Sequence, residues 1–197
     1  MHIFLCDFLL DIAQNSLEAE AEKVIINIDE TSSYISFEII DNGKGMSPEV
    51  IRRVKDPFYT DGIKHKKRKV GLGIPFLNQA TKDLKIDSSV GKGTTIQYGF
   101  DLTDIDCMPL GNLSLALLAI FTGNCKEDCN ILVHRSLNTV KGKREYKISR
   151  KELIDVLGDL NTIESLSLAK QFLVSKEDEI DQVRVENRLN ILSDKGE

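Results

Sequence analysis

Asp11 and Asn15 stand four residues apart near the start of the chain, and Glu18 follows three residues later. On a helix this spacing stacks the side chains on one face. A carboxylate and a carboxamide aligned in this way can hold a hydrated divalent cation and orient a water. The same pair also makes an ordinary solvated face. A second candidate is Asp41, which opens Asp41-Asn-Gly43-Lys-Gly45-Met46. An aspartate at a strand end can accept a hydrogen bond from an exocyclic amine, and glycines let the backbone approach a flat ligand closely. The plain alternative is an Asp-Gly turn. Gly71-Leu72-Gly73 precedes a helical pattern, where glycines allow backbone N–H groups to meet a phosphate. Gly91-Lys-Gly93-Thr94 is a further small-residue loop that would serve equally as a hairpin connection.

The elements that must position these groups follow from periodicity. Leu5, Phe8, Leu9, Ile12 and Leu17 give one apolar stripe, so an amphipathic helix carries Asp11 and Asn15. Lys23–Asp29 and Tyr34–Ile40 are rich in β-branched residues and are expected as a hairpin around the turn cluster 30–33. Ser47-Pro48 is an N-cap followed by proline at the first helical position. After an irregular stretch, 56–69, a helix is expected through Phe76, Leu77 and Ala80, then strands at 84–87 and 95–102. Strands in adjacent pairs with helices between them fit an α+β fold, a two-layer sandwich with helices on one face of a mostly antiparallel sheet. Composition shifts at 103–109. A small α+β accessory domain is expected over 104–175, with an apolar helix at 112–121, strands at 130–138 and 144–148, a capping box at Ser149 and Glu152, and a helix at 163–173. That apolar helix could pack internally or at a dimer contact, and internal packing is the expected fate. The charged stretch 176–197 is expected as a tail, helical or frayed.

The 197 residues, 41% hydrophobic and 29% charged, describe a chain able to bury a core. A net charge of −5 gives no basic footprint, and no nucleic acid is expected as a partner. The longest apolar run, Leu113–Phe121, is too short for a membrane span, and no signal peptide is expected. Four cysteines at no framework spacing point to a reducing, cytoplasmic compartment. Cys125 and Cys129 could share a helix face, but no second pair exists to complete a metal site. His2, His65 and His134 read as ordinary surface or core residues. The basic run 64–69 reads either as a phosphate-facing segment, with Lys69 best placed beside Gly71, or as a solvated loop.

Taken in order, Asn15, Asp41-Asn-Gly-Lys-Gly45, Pro57-Phe58, Gly71-Leu-Gly-Ile74 and Gly91-Lys-Gly-Thr94 resemble the GHKL ATPase superfamily. Histidine kinases, gyrase, Hsp90, MutL and anti-sigma-factor kinases belong to it. The resemblance covers roughly residues 3–102 and implies a Bergerat-type, histidine-kinase-like ATP-binding domain over 1–103. It implies that Asn15 coordinates Mg²⁺ bridging the phosphates of ATP. Asp41 would bind the adenine amine, with Gly43, Gly45 and Met46 shaping the pocket and Thr94 supporting the base. Lys69, Gly71, Leu72 and Gly73 would close over the phosphates. Asp11 stands where hydrolysing and kinase members often carry Glu, His or Asn, and would activate a water or an acceptor hydroxyl. The helix begins so near Met1 that no phosphoacceptor hairpin is expected ahead of it. The expectation is an Mg·ATP-binding regulatory protein that phosphorylates a separate, unidentified partner. A non-catalytic ATP sensor, or a slow ATPase coupled to dimerisation, is the alternative, and a homodimer is left open.

Overall fold

The computed structural model describes residues 2–54, 73–124, 128–140 and 142–186. One mixed six-stranded sheet runs through them. Its strands are β1 (Lys23–Thr31), β2 (Tyr34–Asp41), β3 (Lys85–Ser89), β4 (Gly93–Asp101), β5 (Asn130–Thr139) and β6 (Gly142–Ser149), in the order β3-β4-β2-β1-β5-β6. All neighbours are antiparallel except β1 and β5, which run parallel with Lys23 opposite Asn130 and Thr31 opposite Asn138. The helices are α1 (Leu5–Glu18), α2 (Pro48–Arg53), α3 (Gly73–Ala80), α4 (Leu113–Phe121), α5 (Arg150–Leu157) and α6 (Ile163–Glu186). The α+β sandwich expected from the pattern is therefore present.

Period-two alternation decides which face is covered. Val24, Ile26 and Ile28 of β1, Ile35, Phe37 and Ile39 of β2, and Ile96, Tyr98 and Phe100 of β4 are buried on one face. α1 lays Leu5, Phe8, Leu9, Ile12, Ala13 and Leu17 against that core. Each large side chain contributes roughly 1.5–3 kcal/mol by leaving water. The opposite face stays polar: Asn27, Glu38 and Gln97 lie in register on three strands, and Glu38 accepts from both amides at 2.6 Å.

Local signals set the helix starts. Ser47 accepts from the Val50 N–H, Asn112 from the Leu115 N–H, and Ser149 exchanges backbone bonds with Glu152. α1 begins differently. Its Leu5 and Cys6 N–H groups donate to the Pro109 and Leu110 carbonyls, both at 3.0 Å. Gly111, at φ +81°, fits there because a Cβ would stand 2.6 Å from that of Phe4. The expected boundary near 103 is thus a link docked onto the first helix.

Beyond that link the chain adds β5 and β6 to the same sheet. α4 packs internally, against α1 and α6, with Leu113, Leu117, Ile120 and Phe121 buried. α6 does not end near Leu173 but continues to Glu186, burying Ile180 and Val183. The first part of the expected tail is therefore helix packed on the core. Among the described residues no helix is long and apolar enough to cross a membrane.

Candidate functional site

Asp41 is the last residue of β2 and only 8% exposed. Its Oδ2 accepts from the Ser16 hydroxyl at 2.8 Å, and its Oδ1 from the backbone N–H groups of Gly43 at 2.9 Å and Thr94 at 3.2 Å. An ionised carboxylate offers about four acceptor positions. Three donors among the described residues fix its orientation, and a fourth position remains for a ligand's donor. The antiparallel register that sets Asp41 opposite Thr94 supplies the third donor.

Glycines bring the backbones around this carboxylate into contact. A Cβ on Gly43 would stand 2.6 Å from the Ala19 carbonyl oxygen at the end of α1, and 3.1 Å from Asp41 Oδ1. Gly93, at φ +98°, approaches the Asp41 carbonyl so closely that a Cβ would lie 1.9 Å from its oxygen. Any other residue there would be strained and would collide. Gly45 presses on Ser89 in the same way. The Met46 N–H donates to Ser88 Oγ at 2.8 Å, and Ser88 Oγ lies 2.9 Å from Thr94 Oγ1. The structure thus gathers Asp41, Gly43, Gly45, Met46 and Thr94 at one place.

Asp11 and Asn15 lie further along α1, toward its N-terminus. Asp11 stands five residues before Ser16, about 7–8 Å along the helix axis. Asn15 is exposed, and Asp11 is partly so. Asp11 Oδ2 accepts from His2 Nε2 at 2.8 Å. Gly73, the first residue of α3, sits over the same carboxylate: a Cβ there would be 3.0 Å from that of Asp11 and 3.1 Å from Oδ2. The N-terminus of α3 therefore adjoins Asp11. Deeper under α1, burial pushes the Tyr98 hydroxyl well above its ordinary pKa, and Cys6 and Asp11 add to the shift. Among the described residues no three His, Cys, Asp or Glu side chains form a metal-holding cluster.

Residues 2–104 match the family of histidine kinase-, DNA gyrase B- and HSP90-like ATPases, a span of more than half the chain. The chain belongs to this ATPase family. As a histidine-kinase-like ATPase it is an ATP-binding protein. It is similar to sporulation kinase C of Bacillus subtilis, 31% identical over 94 residues, covering 45% of this chain and 21% of that one. It is also similar to a putative sensor histidine kinase, NtrY-like, of Rickettsia conorii, 29% identical over 117 residues, covering 52% of this chain and 19% of that one. The chain spans about a fifth of the length of these curated relatives. Among solved structures, the N-terminal domain of a DNA repair protein shares the fold. The TM-score is 0.51 at 16% identity, over 80% of this chain and 57% of that one.

The donor set fits the adenine nucleotide that an ATPase of this family takes. A buried acceptor with one free position, lined by glycines a Cβ would block, suits a flat base carrying an amine. Lys69, Gly71 and Leu72 lie outside the described residues, as do Pro57, Phe58, the rest of the basic run with His65, and Cys125.

Three further residues join the site. Ser16 lies one turn after Ile12 on the apolar stripe; a polar side chain on a buried stripe needs a partner, and that was the available signal. Ser88 sits in β3 with no local hint of its bond to Met46. His2 is not the ordinary surface or core residue expected from its position, since its ring holds Asp11. His134 has Nε2 3.5 Å from Glu145 Oε2 on the neighbouring strand.

Proposed function

We propose that this ATPase-family chain binds Mg·ATP and transfers the terminal phosphoryl group to a separate partner protein. The observation that carries the reading is the line of groups along α1. The anchored Asp41 carboxylate stands at the Ser16 end, and the half-exposed Asp11 stands one to two turns away beside the start of α3. That line matches an extended nucleotide, with the base at Asp41 and the phosphates at Asn15 and Asp11. The kinase relatives support transfer rather than sensing alone.

The residues divide the work. Asp41 orients the base amine, and Thr94, Gly43, Gly45 and Met46 shape the slot. Asn15 would hold Mg²⁺ through its carboxamide oxygen, and the ion would neutralise phosphate charge. ATP supplies the phosphoryl group and ADP leaves. The acceptor's proton passes to Asp11 Oδ1, which has no hydrogen-bond partner among the described residues. Positioning and electrostatics do most of the work in such a transfer.

Asn15→Ala is expected to abolish magnesium-dependent ATP binding in calorimetric titration; undiminished binding removes Asn15 from the site. Asp11→Asn is expected to spare ATP binding and to lower turnover about 10²–10⁴-fold, the usual worth of a general base. With γ-labelled ATP, stable label on a co-purifying protein supports transfer. Label released only as inorganic phosphate indicates the hydrolytic alternative, and tight binding with no turnover indicates a sensor.

A further inference from the structure

We infer that His2 is a positioning residue for Asp11, clamping the carboxylate so that one oxygen is held and the other is presented to the reaction. The inference rests on the reading of Asp11 as the proton acceptor.

The clamp has three parts. First, a carboxylate only accepts, so His2 Nε2 carries the proton in the 2.8 Å bond to Asp11 Oδ2. Second, Gly73 packs over the same oxygen. Oδ2 thereby lies between an imidazole N–H and a helix start, while Oδ1 has no hydrogen-bond partner among the described residues. Third, the imidazole cannot swing. It lies face to face on Phe8 of α1, with centroids 4.4 Å apart and planes 4° off parallel, and edge-on to Phe76 of α3 at 5.7 Å.

The other ring nitrogen argues that the placement serves the Asp11 bond rather than packing. His2 Nδ1 is buried and has no hydrogen-bond partner among the described residues. A buried nitrogen left unpaired is unfavourable, and an apolar side chain in the same aromatic slot would avoid it. Aspartate also reaches one methylene less far than glutamate. A short side chain has few rotamers, and a misdirected one has little means of compensating. An external donor that fixes its torsion is what such a base requires.

The test combines spectroscopy and kinetics on the full chain. Nitrogen-15 spectra of the His2 ring should show a protonated, hydrogen-bonded Nε2 whose signal moves in Asp11→Asn; a ring indifferent to Asp11 overturns the inference whether or not the chain turns ATP over. His2→Ala should lower single-turnover consumption of γ-labelled Mg·ATP by about 10–100-fold, the scale of a misplaced reacting group. Its nucleotide dissociation constant should stay within about two-fold of the parent. His2→Gln, whose amide can reach the Nε2 position, should recover most of the loss. If His2→Gln is as slow as His2→Ala, packing alone explains the residue. In an Asp11→Asn background His2→Ala should have no further effect, and an additive loss overturns the pairing. Acid-labile label on the chain itself that disappears with His2→Ala would make His2 an acceptor rather than a clamp. Full turnover in Asp11→Asn defeats the base assignment, whereas an inactive Asp11→Asn beside an unimpaired His2→Ala defeats only the clamp.

Discussion

Arg184→Met is expected to destabilise the fold by ~3–5 kcal/mol, the cost of removing one partner from a buried ion pair. Arg184, on α6, is 1% exposed, and Arg135, on β5, is fully buried. Both grip Glu30 at the end of β1. Arg184 Nε lies 2.8 Å from Glu30 Oε1, and Arg184 Nη2 lies 2.6 Å from Oε2, which also accepts from Arg135. Arg184 further donates to Asp181, while Tyr146 donates to Glu177, which stands 3.8 Å from Arg135 Nε. The charges of this cluster balance when Glu177 carries a proton. Burial pushes the Glu177 pKa up, and the two arginines only partly offset it. Removing Arg184 leaves one excess buried carboxylate. Glu30→Gln in the same chain restores the balance, and the double variant should recover part of the loss. Urea midpoints of the parent, single and double variants check this; a double variant as weak as the sum of the singles refutes the charge argument.

The cluster also fixes a pH dependence. Burial works to raise the Glu30 pKa, but Arg135 and Arg184 together outweigh it and hold the carboxyl below its ordinary value. Its stabilising contribution is therefore complete above the ordinary carboxylate range and is lost as pH falls through the lower folded-state value. Glu177 has the opposite sign: its contribution is present below that range and is lost as pH rises through its raised value. Glu177→Gln should thus lessen the loss of stability as pH rises, while Glu30→Gln should lessen the loss as pH falls. The consequence reaches the site, because α6 packs on α4 and α4 on α1, the helix that carries Asp11 and Asn15.

How far the sequence revealed all this depends on how local each cause is. β1 and β2 are legible because alternation is written within each strand. Asp41 is legible because a strand end, an Asp and two spaced glycines adjoin in the chain. Ser149 announces its helix because its cap partner is three residues away. Glu30 looked like part of a turn cluster, since nothing nearby explains a buried carboxylate. Its partners lie 105 and 154 residues further on. The same holds for residues 176–186, whose charges read as a tail until Arg184 finds Glu30. Ser16 and His2 were missed for a related reason. Each makes one hydrogen bond, to Asp41 and to Asp11, that exists only once the fold has formed.

Asp41→Ala is expected to abolish ATP binding, and Asp41→Asn to weaken it by about 10²-fold or more, the range for losing a buried charge-assisted acceptor. The two variants separate chemistry from scaffold. Asp41 does two things at once: it accepts three hydrogen bonds from the chain and offers its remaining position outward. Alanine strands the Ser16 hydroxyl and the Gly43 and Thr94 N–H groups, so a loss of binding alone could reflect local collapse. Asparagine keeps the size and one oxygen. Its favoured orientation keeps the oxygen on the Gly43 and Thr94 N–H groups and sets the amide nitrogen where Oδ2 stood, against the Ser16 hydroxyl, so that it presents N–H toward the ligand's amine, donor against donor. Stability should therefore fall modestly while affinity for the adenine base falls steeply. The matched ligand change sharpens the point. Inosine triphosphate replaces the exocyclic amine with a carbonyl, so it should bind the parent poorly and lose its handicap relative to ATP in Asp41→Asn. Calorimetric titration of both nucleotides into both chains gives the coupling directly. An undiminished preference for ATP in Asp41→Asn places the base elsewhere and removes the foundation for assigning Asn15 and Asp11 to the phosphates.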